Sequence, residues 1–222
     1  MMPRKCRYQV LVPDRVHHVY MRGNNRRTLF SSSVERRRYL MILEEGLSKY
    51  PCLLHHIALL TNHIHYALTP PNLETLSKLM KFVGQKYAVY RNRRRGGTGK
   101  LFEQRYECRV IANDNHMRVI GGYIDLNPEL SGMPKRYLAW STKNIHLGEP
   151  SLTIPECLWT PSPWYLALAT TAKGRQASYA KWLSEYRARR QGWDKEFDVF
   201  GTQVRGDKCF KGVLRPDGTS AR

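Results

Sequence analysis

The chain has 222 residues, 41% of them hydrophobic, with 37 Lys and Arg against 18 Asp and Glu, a formal net charge of +19. That hydrophobic content can build a packed core and excludes wholesale disorder, while the charge excess favours a polyanionic partner. No run of about 18 apolar residues exists, so no helical membrane span is expected.

The basic stretch from Met1 to Cys6 is not followed by an apolar run, so no secretory signal is expected. The five cysteines are scattered and form no CxxC pair. They are read as reduced thiols of a cytoplasmic protein rather than a disulfide frame or a cysteine zinc site.

In chain order, Val16–Met21 mixes β-branched and aromatic residues and stops at Gly23-Asn24-Asn25, a strand followed by a turn. Ser31–Ser33 offers N-caps to a helix reaching about Lys49, with Tyr39, Leu40, Leu43 and Leu47 at helical spacing. Leu53–Leu60 and His63–Leu68 read as two strands of a hairpin joined at Thr61-Asn62. A helix follows from about Leu73 to Arg93, with Leu76, Leu79, Met80, Val83 and Tyr87 as its apolar stripe. After a basic, glycine-rich loop, Arg105–Ile111 reads as a fourth strand. Asn113-Asp114-Asn115 caps a helix through about Leu126 that Asn127-Pro128 ends. This order describes an α+β, ferredoxin-like (split βαβ) antiparallel sheet with helices packed on it, plus a helical C-terminal extension. Residues 1–145 form the principal domain and 146–222 the extension. Residues 141–160 read as a linker between the two, 162–172 and 176–190 as short helices, and the last 30 residues as a loosely ordered tail.

Three constellations carry chemistry. His63 and His65 stand two apart on a strand and so share a face. Two neutral imidazoles make half of a divalent metal site, or simply two histidines on a solvated face. His55 and His56 face opposite sides, so at most one can join them. Tyr123 and Asn127 stand four apart on a helix and share its face. They can supply a nucleophilic phenol and a hard oxygen ligand, or a core tyrosine and a helix-ending Asn. Gly121 and Gly122 beside them are costly in a helix and suggest a late start, flexibility or close approach. Arg91, Arg93, Arg94, Arg95, Lys100, Arg105 and Arg109 are interleaved with Tyr87, Tyr90, Phe102 and Tyr106. Arg22, Arg26 and Arg27 form a second basic group. Guanidinium groups track phosphates and aromatic rings stack on unpaired bases. No Walker loop, GxSxG or HExxH is present, which argues against hydrolases built on them.

Together the blocks Val19–Arg26, Asn62–His65, Gly99–Tyr106 and Tyr123–Pro128 resemble the REP-associated tyrosine transposases, relatives of the small single-tyrosine HUH transposases of bacterial insertion sequences. The resemblance spans about residues 8–145. It implies a metal-dependent endonuclease and strand transferase acting on single-stranded DNA beside hairpins (repetitive extragenic palindromes) through a 5′-phosphotyrosine. It further implies Tyr123 as nucleophile, His63, His65 and Asn127 as ligands of Mg²⁺ or Mn²⁺, and no nucleotide cofactor. Together with the basic and aromatic groups above, DNA contacts are expected at Arg22, Asn24, Asn25, Arg26, Arg27, Arg91, Arg93, Arg94, Arg95, Lys100, Phe102, Arg105 and Tyr106. The chain departs from the family at Glu129-Leu130-Ser131, where a run with Arg and Ala is usual. The C-terminal segment can replace a dimer contact, so a monomer is expected, cytoplasmic and nucleoid-associated. Two other readings remain at this point. One is a non-catalytic protein that binds structured DNA repeats. The other is an RNA-binding ferredoxin-like module with exposed aromatic residues on its central strands.

Overall fold

The computed structural model describes residues 12–196. Four strands, β1 (His17–Arg22), β2 (Leu53–Leu59), β3 (His63–Thr69) and β4 (Glu107–Val110), pair antiparallel in the spatial order β2-β3-β1-β4. Helix α1 (Ser33–Lys49) joins β1 to β2, and α2 (Leu73–Arg95) joins β3 to β4. This is the split βαβ sheet that the order of elements implied. Each long helix starts where a polar side chain can take an orphan backbone N–H: Ser32 accepts from Glu35 N, Asn72 from Thr75 N and Asn113 from His116 N. Gly96, in the left-handed region at φ 59°, stops α2.

The sheet is covered on both faces. Val19, Met21, Ile57, Leu59, Ile64, Tyr66 and Leu68 point to one side and pack on α1 and α2. Ala58 and Ala67 point to the other. There they meet α3 (Asp114–Leu130) and, behind it, α6 (Ala172–Glu196) through Tyr179, Trp182, Leu183 and Tyr186. Helix α3 runs on to Leu130 rather than ending at Leu126. Pro128 removes one N–H donor, but burial of Leu126, Asn127 and Pro128 holds the last turn, and Ser131 N closes it on Asn127 O.

The linker expected at 141–160 is instead packed structure. Leu59 N donates to Trp140 O and Thr142 N to Ile57 O, so this segment runs along the free edge of β2, and Thr160 N returns to Leu54 O. It contains the short helix α4 (Lys143–Leu147) and buries Trp140 and His146. The unpaired edge of β2 explains the arrangement, since exposed ladder groups are satisfied by a covering chain. The two C-terminal helices are α5 (Pro163–Ala167), shorter than expected, and α6, longer. The tail from 197 onward lies outside the described residues. No described helix is long and apolar enough to cross a membrane.

Candidate active site

The pairing of β1 with β3 sets Tyr20 opposite His65, Arg22 opposite His63 and His18 opposite Ala67. Period-two alternation sends His18, Tyr20, Arg22, His63 and His65 to the face that carries α3. Tyr20 sits against both imidazoles of β3, with ring centroids 5.5 Å from His63 and 4.9 Å from His65. Helix α3 lays Tyr123 on this cluster, its hydroxyl 3.4 Å from His65 Nε2 within the same chain. The Tyr123 ring stands edge-on to His65 at 5.1 Å and to His18 at 6.1 Å. Two motifs nearly sixty residues apart in sequence thus share one site.

Each β3 imidazole has its Nδ1 engaged by a neighbour. His63 Nδ1 lies 2.7 Å from Asn62 Oδ1. Asn62 Nδ2 donates to Arg26 O at 3.3 Å, which fixes which amide atom faces the ring. His65 Nδ1 shares a 2.9 Å hydrogen bond with His18 Nε2. Burial lowers His63 to about 4, with Arg22 adding to the shift. It lowers His18 to about 3, helped by His116 and Arg109, and His65 well below its ordinary value. All three rings are therefore neutral at pH 7, the form in which imidazole has a free lone pair. Burial also raises the Tyr20 phenol, an effect that the Arg22 guanidinium over its ring opposes.

Asn127 follows Tyr123 by one turn on α3 and is buried. Its Oδ1 accepts a 2.7 Å hydrogen bond from Ser131 Oγ, which leaves one lone pair on that oxygen. Glu129, where the chain departs from the expected pattern, pairs with Arg187 of α6 at 2.7 Å and with Lys143 of α4.

The basic residues divide. The turn Gly23–Arg27 meets the 100–103 loop at the His63 end of the sheet: Asn24 N donates to Leu101 O, Glu103 N to Arg22 O, and Gly23 bridges Phe102. Asn25 and Arg26 take the left-handed region (φ 51° and 57°), and a Cβ at Gly23 would lie 2.2 Å from Arg27 O. This folding leaves Asn25, Arg26, Arg27 and Lys100 exposed beside the site, with Asn24 and Phe102 half-buried. Arg93, Arg94 and Arg105 are exposed as well. Arg91 and Tyr106 are not available as surface contacts. Arg91 is 7% exposed; it donates to Leu29 O and Thr28 O and pairs with Glu35. Tyr106 is buried in the α2-side core with its hydroxyl on Ser77 Oγ at 2.9 Å. Arg95 is half-exposed and grips Glu35 through Nε and Nη2. A basic segment still needs cations to hold the buried Glu35, and the linear pattern does not separate those from the surface ones.

Sequence reasoning missed His18 and Tyr20. The signal was present as alternation through His18, Tyr20 and Arg22, but only the pairing of β1 with β3 makes it meaningful.

A second cluster lies deeper. Asp125 Oδ2 is 2.9 Å from His146 Nδ1, and Asp125 Oδ1 is 3.3 Å from His56 Nδ1, with all three side chains fully buried. The donor types suit a metal and lie within 4.8 Å of one another. However, the two imidazoles stack face to face, 4.2 Å between centroids and 13° from parallel, so their in-plane lone pairs do not converge. Both carboxylate oxygens already accept hydroxyl hydrogen bonds from Thr142 and Tyr179. The cluster is a buried charge network, and Gly121 makes room for it: a Cβ there would lie 2.9 Å from His56 Cε1. His55, the residue the register skips at the β-bulge between Leu54 and His56, bonds Thr69 Oγ1 and Thr160 O.

No curated protein matches the chain. A solved structure described as a REP-associated tyrosine transposase bound to a REP hairpin shares the fold, with a TM-score of 0.54 and 14% identity over 73% of this chain and 93% of the other. The family described as "Transposase IS200 like" matches residues 12–127, more than half of the chain and the span holding every element of the site above. The chain belongs to the IS200-like transposase family.

Proposed function

We propose that this transposase is a metal-dependent nickase and strand transferase for single-stranded DNA beside hairpins, with Tyr123 as nucleophile. The observation that carries this reading is the 3.4 Å approach of the Tyr123 hydroxyl to His65 Nε2 in one chain. The donors fit a hard divalent cation with a borderline preference, such as Mn²⁺ or Mg²⁺: two neutral imidazoles whose Nδ1 atoms are already engaged, and one carboxamide oxygen with a lone pair to spare. His63, His65 and Asn127 would hold it. When bound, such an ion polarises and orients a scissile phosphate.

The chain's own residues do the rest. Tyr123 is held by packing against His18 and His65, so its oxygen is presented without a rotamer search. That oxygen attacks phosphorus, the P–O3′ bond breaks, and the phenol proton ends on the departing 3′-oxygen. The 5′-phosphotyrosine retains the bond energy, so a second 3′-hydroxyl can reverse the step without a nucleotide cofactor. Arg22, Asn24, Asn25, Arg26, Arg27, Lys100 and Phe102, on the turn and loop at the His63 end of the sheet, would bind DNA, together with the exposed Arg93, Arg94 and Arg105. A hairpin as partner is supported by the relative solved with one. A monomer is supported by the one-chain site. Reaction with hairpin-flanked single-stranded DNA and Mn²⁺ should give a covalent protein–DNA adduct on a denaturing gel. EDTA and Tyr123→Phe should each abolish it, and an adduct that survives Tyr123→Phe rejects the assignment.

A further inference from the structure

We propose that His18 is a positioning residue for His65: it accepts the Nδ1 proton of His65 and thereby keeps Nε2, the nitrogen beside Tyr123, a bare lone pair. The inference rests on the metal-site reading above.

His63 supplies the comparison. Its Nδ1 faces Asn62 Oδ1 at 2.7 Å, and an amide oxygen can only accept, so the proton sits on Nδ1 and Nε2 is free. Asn62 is itself oriented by its bond to Arg26 O. His65 has the same arrangement with a different partner. Its Nδ1 faces His18 Nε2 at 2.9 Å, between two buried rings. A neutral imidazole pair can share this bond in two ways. If His18 donates, the His65 proton moves to Nε2, points at the Tyr123 hydroxyl and blocks ligation. If His65 donates, Nε2 is open, and His18 carries its own proton on Nδ1. Only the second arrangement matches His63 and gives two ligating nitrogens.

The fold keeps His18 in place to do this. Its cross-strand partner is Ala67, whose small side chain leaves room for the imidazole to lie diagonally over His65, 5.1 Å between centroids and 24° from parallel. Tyr20 and Tyr123 close on the His65 ring at 4.9 and 5.1 Å, so it cannot turn to offer the other nitrogen. Partners of this kind fix the tautomer of a ligating histidine, and their loss typically weakens metal affinity about 10- to 100-fold.

The test uses the full chain with histidine labelled in ¹⁵N. Long-range ¹H–¹⁵N NMR of the metal-free protein should find the His65 proton on Nδ1; a proton on Nε2 overturns the proposal without any variant. Mn²⁺ titration by calorimetry should then show about 10- to 100-fold weaker binding for His18→Leu. His18→Gln, whose carboxamide oxygen reaches about as far as Nε2, should restore affinity to within about threefold. Thermal melting of each variant establishes that it folds. Folded His18→Leu with unchanged Mn²⁺ affinity overturns the role of His18, while His65→Ala still abolishes binding. If His65→Ala itself leaves Mn²⁺ affinity unchanged, the metal-site reading fails and this inference with it.

Discussion

Tyr179, on α6, donates its hydroxyl to Asp125 Oδ2 at 2.7 Å, two residues along α3 from Tyr123. The same carboxylate takes Thr142 Oγ1 at 2.6 Å, His146 Nδ1 at 2.9 Å and His56 Nδ1 at 3.3 Å. One buried charge therefore joins α3 to β2, α4 and α6. Removing it leaves the Thr142 and Tyr179 hydroxyls without their acceptor and takes the one negative charge from beside two buried imidazoles. Asp125→Ala should cost about 3–5 kcal/mol in urea unfolding, the usual cost of breaking a buried pair. Tyr179→Phe, which deletes one hydrogen bond to a charged group, should cost about 1.5–3 kcal/mol. A loss below about 1 kcal/mol for Asp125→Ala would show that the network holds nothing together.

Stability should fall on mild acidification. Burial holds His17 and His56 at about 4 and His18 at about 3. Their folded values lie below the unfolded value near 6.5, so the unfolded chain takes up protons first. The contribution is complete above about pH 6.5 and declines as pH drops toward 4, each histidine adding a slope approaching ~1.4 kcal/mol per pH unit. Asp125 acts in the same direction further down. Burial pushes its carboxyl up, but His146 and His56 outweigh that and hold it below the ordinary carboxylate range. Its share is present above about pH 4 and lost below. Urea midpoints with EDTA at pH 7 and pH 5 measure this, and equal midpoints would contradict it.

The glycine pair before Tyr123 answers to packing. Gly121 admits the His56 ring, and Gly122 admits Tyr186 and Trp182, whose nearest atoms would sit 3.1 and 3.3 Å from a new Cβ. Gly121→Ala gains about 1 kcal/mol of helix propensity but forces a buried, stacked imidazole to move, at a cost of about 1–3 kcal/mol. A net loss is expected. Gly192→Ala, with nothing within 4 Å, should instead gain up to about 1 kcal/mol. Thermal melts of the two variants should move in opposite directions.

Arginines that look alike in sequence should separate by assay. Arg27→Ala and Lys100→Ala, both exposed beside the site, should weaken binding to hairpin DNA and lower the salt slope by about one each, with melting unchanged. Arg91→Ala should destabilise the fold by about 1–3 kcal/mol, because it strips a donor from Glu35 and from two backbone carbonyls. Equal effects of all three on DNA affinity at unchanged stability would reject this division.

Much of the architecture was legible before any coordinates. Ser32 and Asn113 announce helix starts because a short polar side chain there takes a stranded backbone N–H. The hairpin at Thr61-Asn62 and the faces of His63/His65 and Tyr123/Asn127 follow from periods of two and of three to four residues, which are local properties of the chain. What local periodicity does not carry is which faces meet. The pairing of β1 with β3 decided that His18 and Tyr20 join the imidazoles, and docking of α3 decided that Tyr123 does. The free edge of β2 turned an apparent linker into packed structure, because unpaired ladder groups require a partner wherever the chain can supply one. The burial of Glu35 likewise drew Arg91 inward from a basic run that reads as surface. The sequence by itself determined the elements, the caps and the chemistry on each face. Only tertiary structure decided which faces share a site, since contacts between residues nearly sixty positions apart depend on packing and on satisfying buried charge.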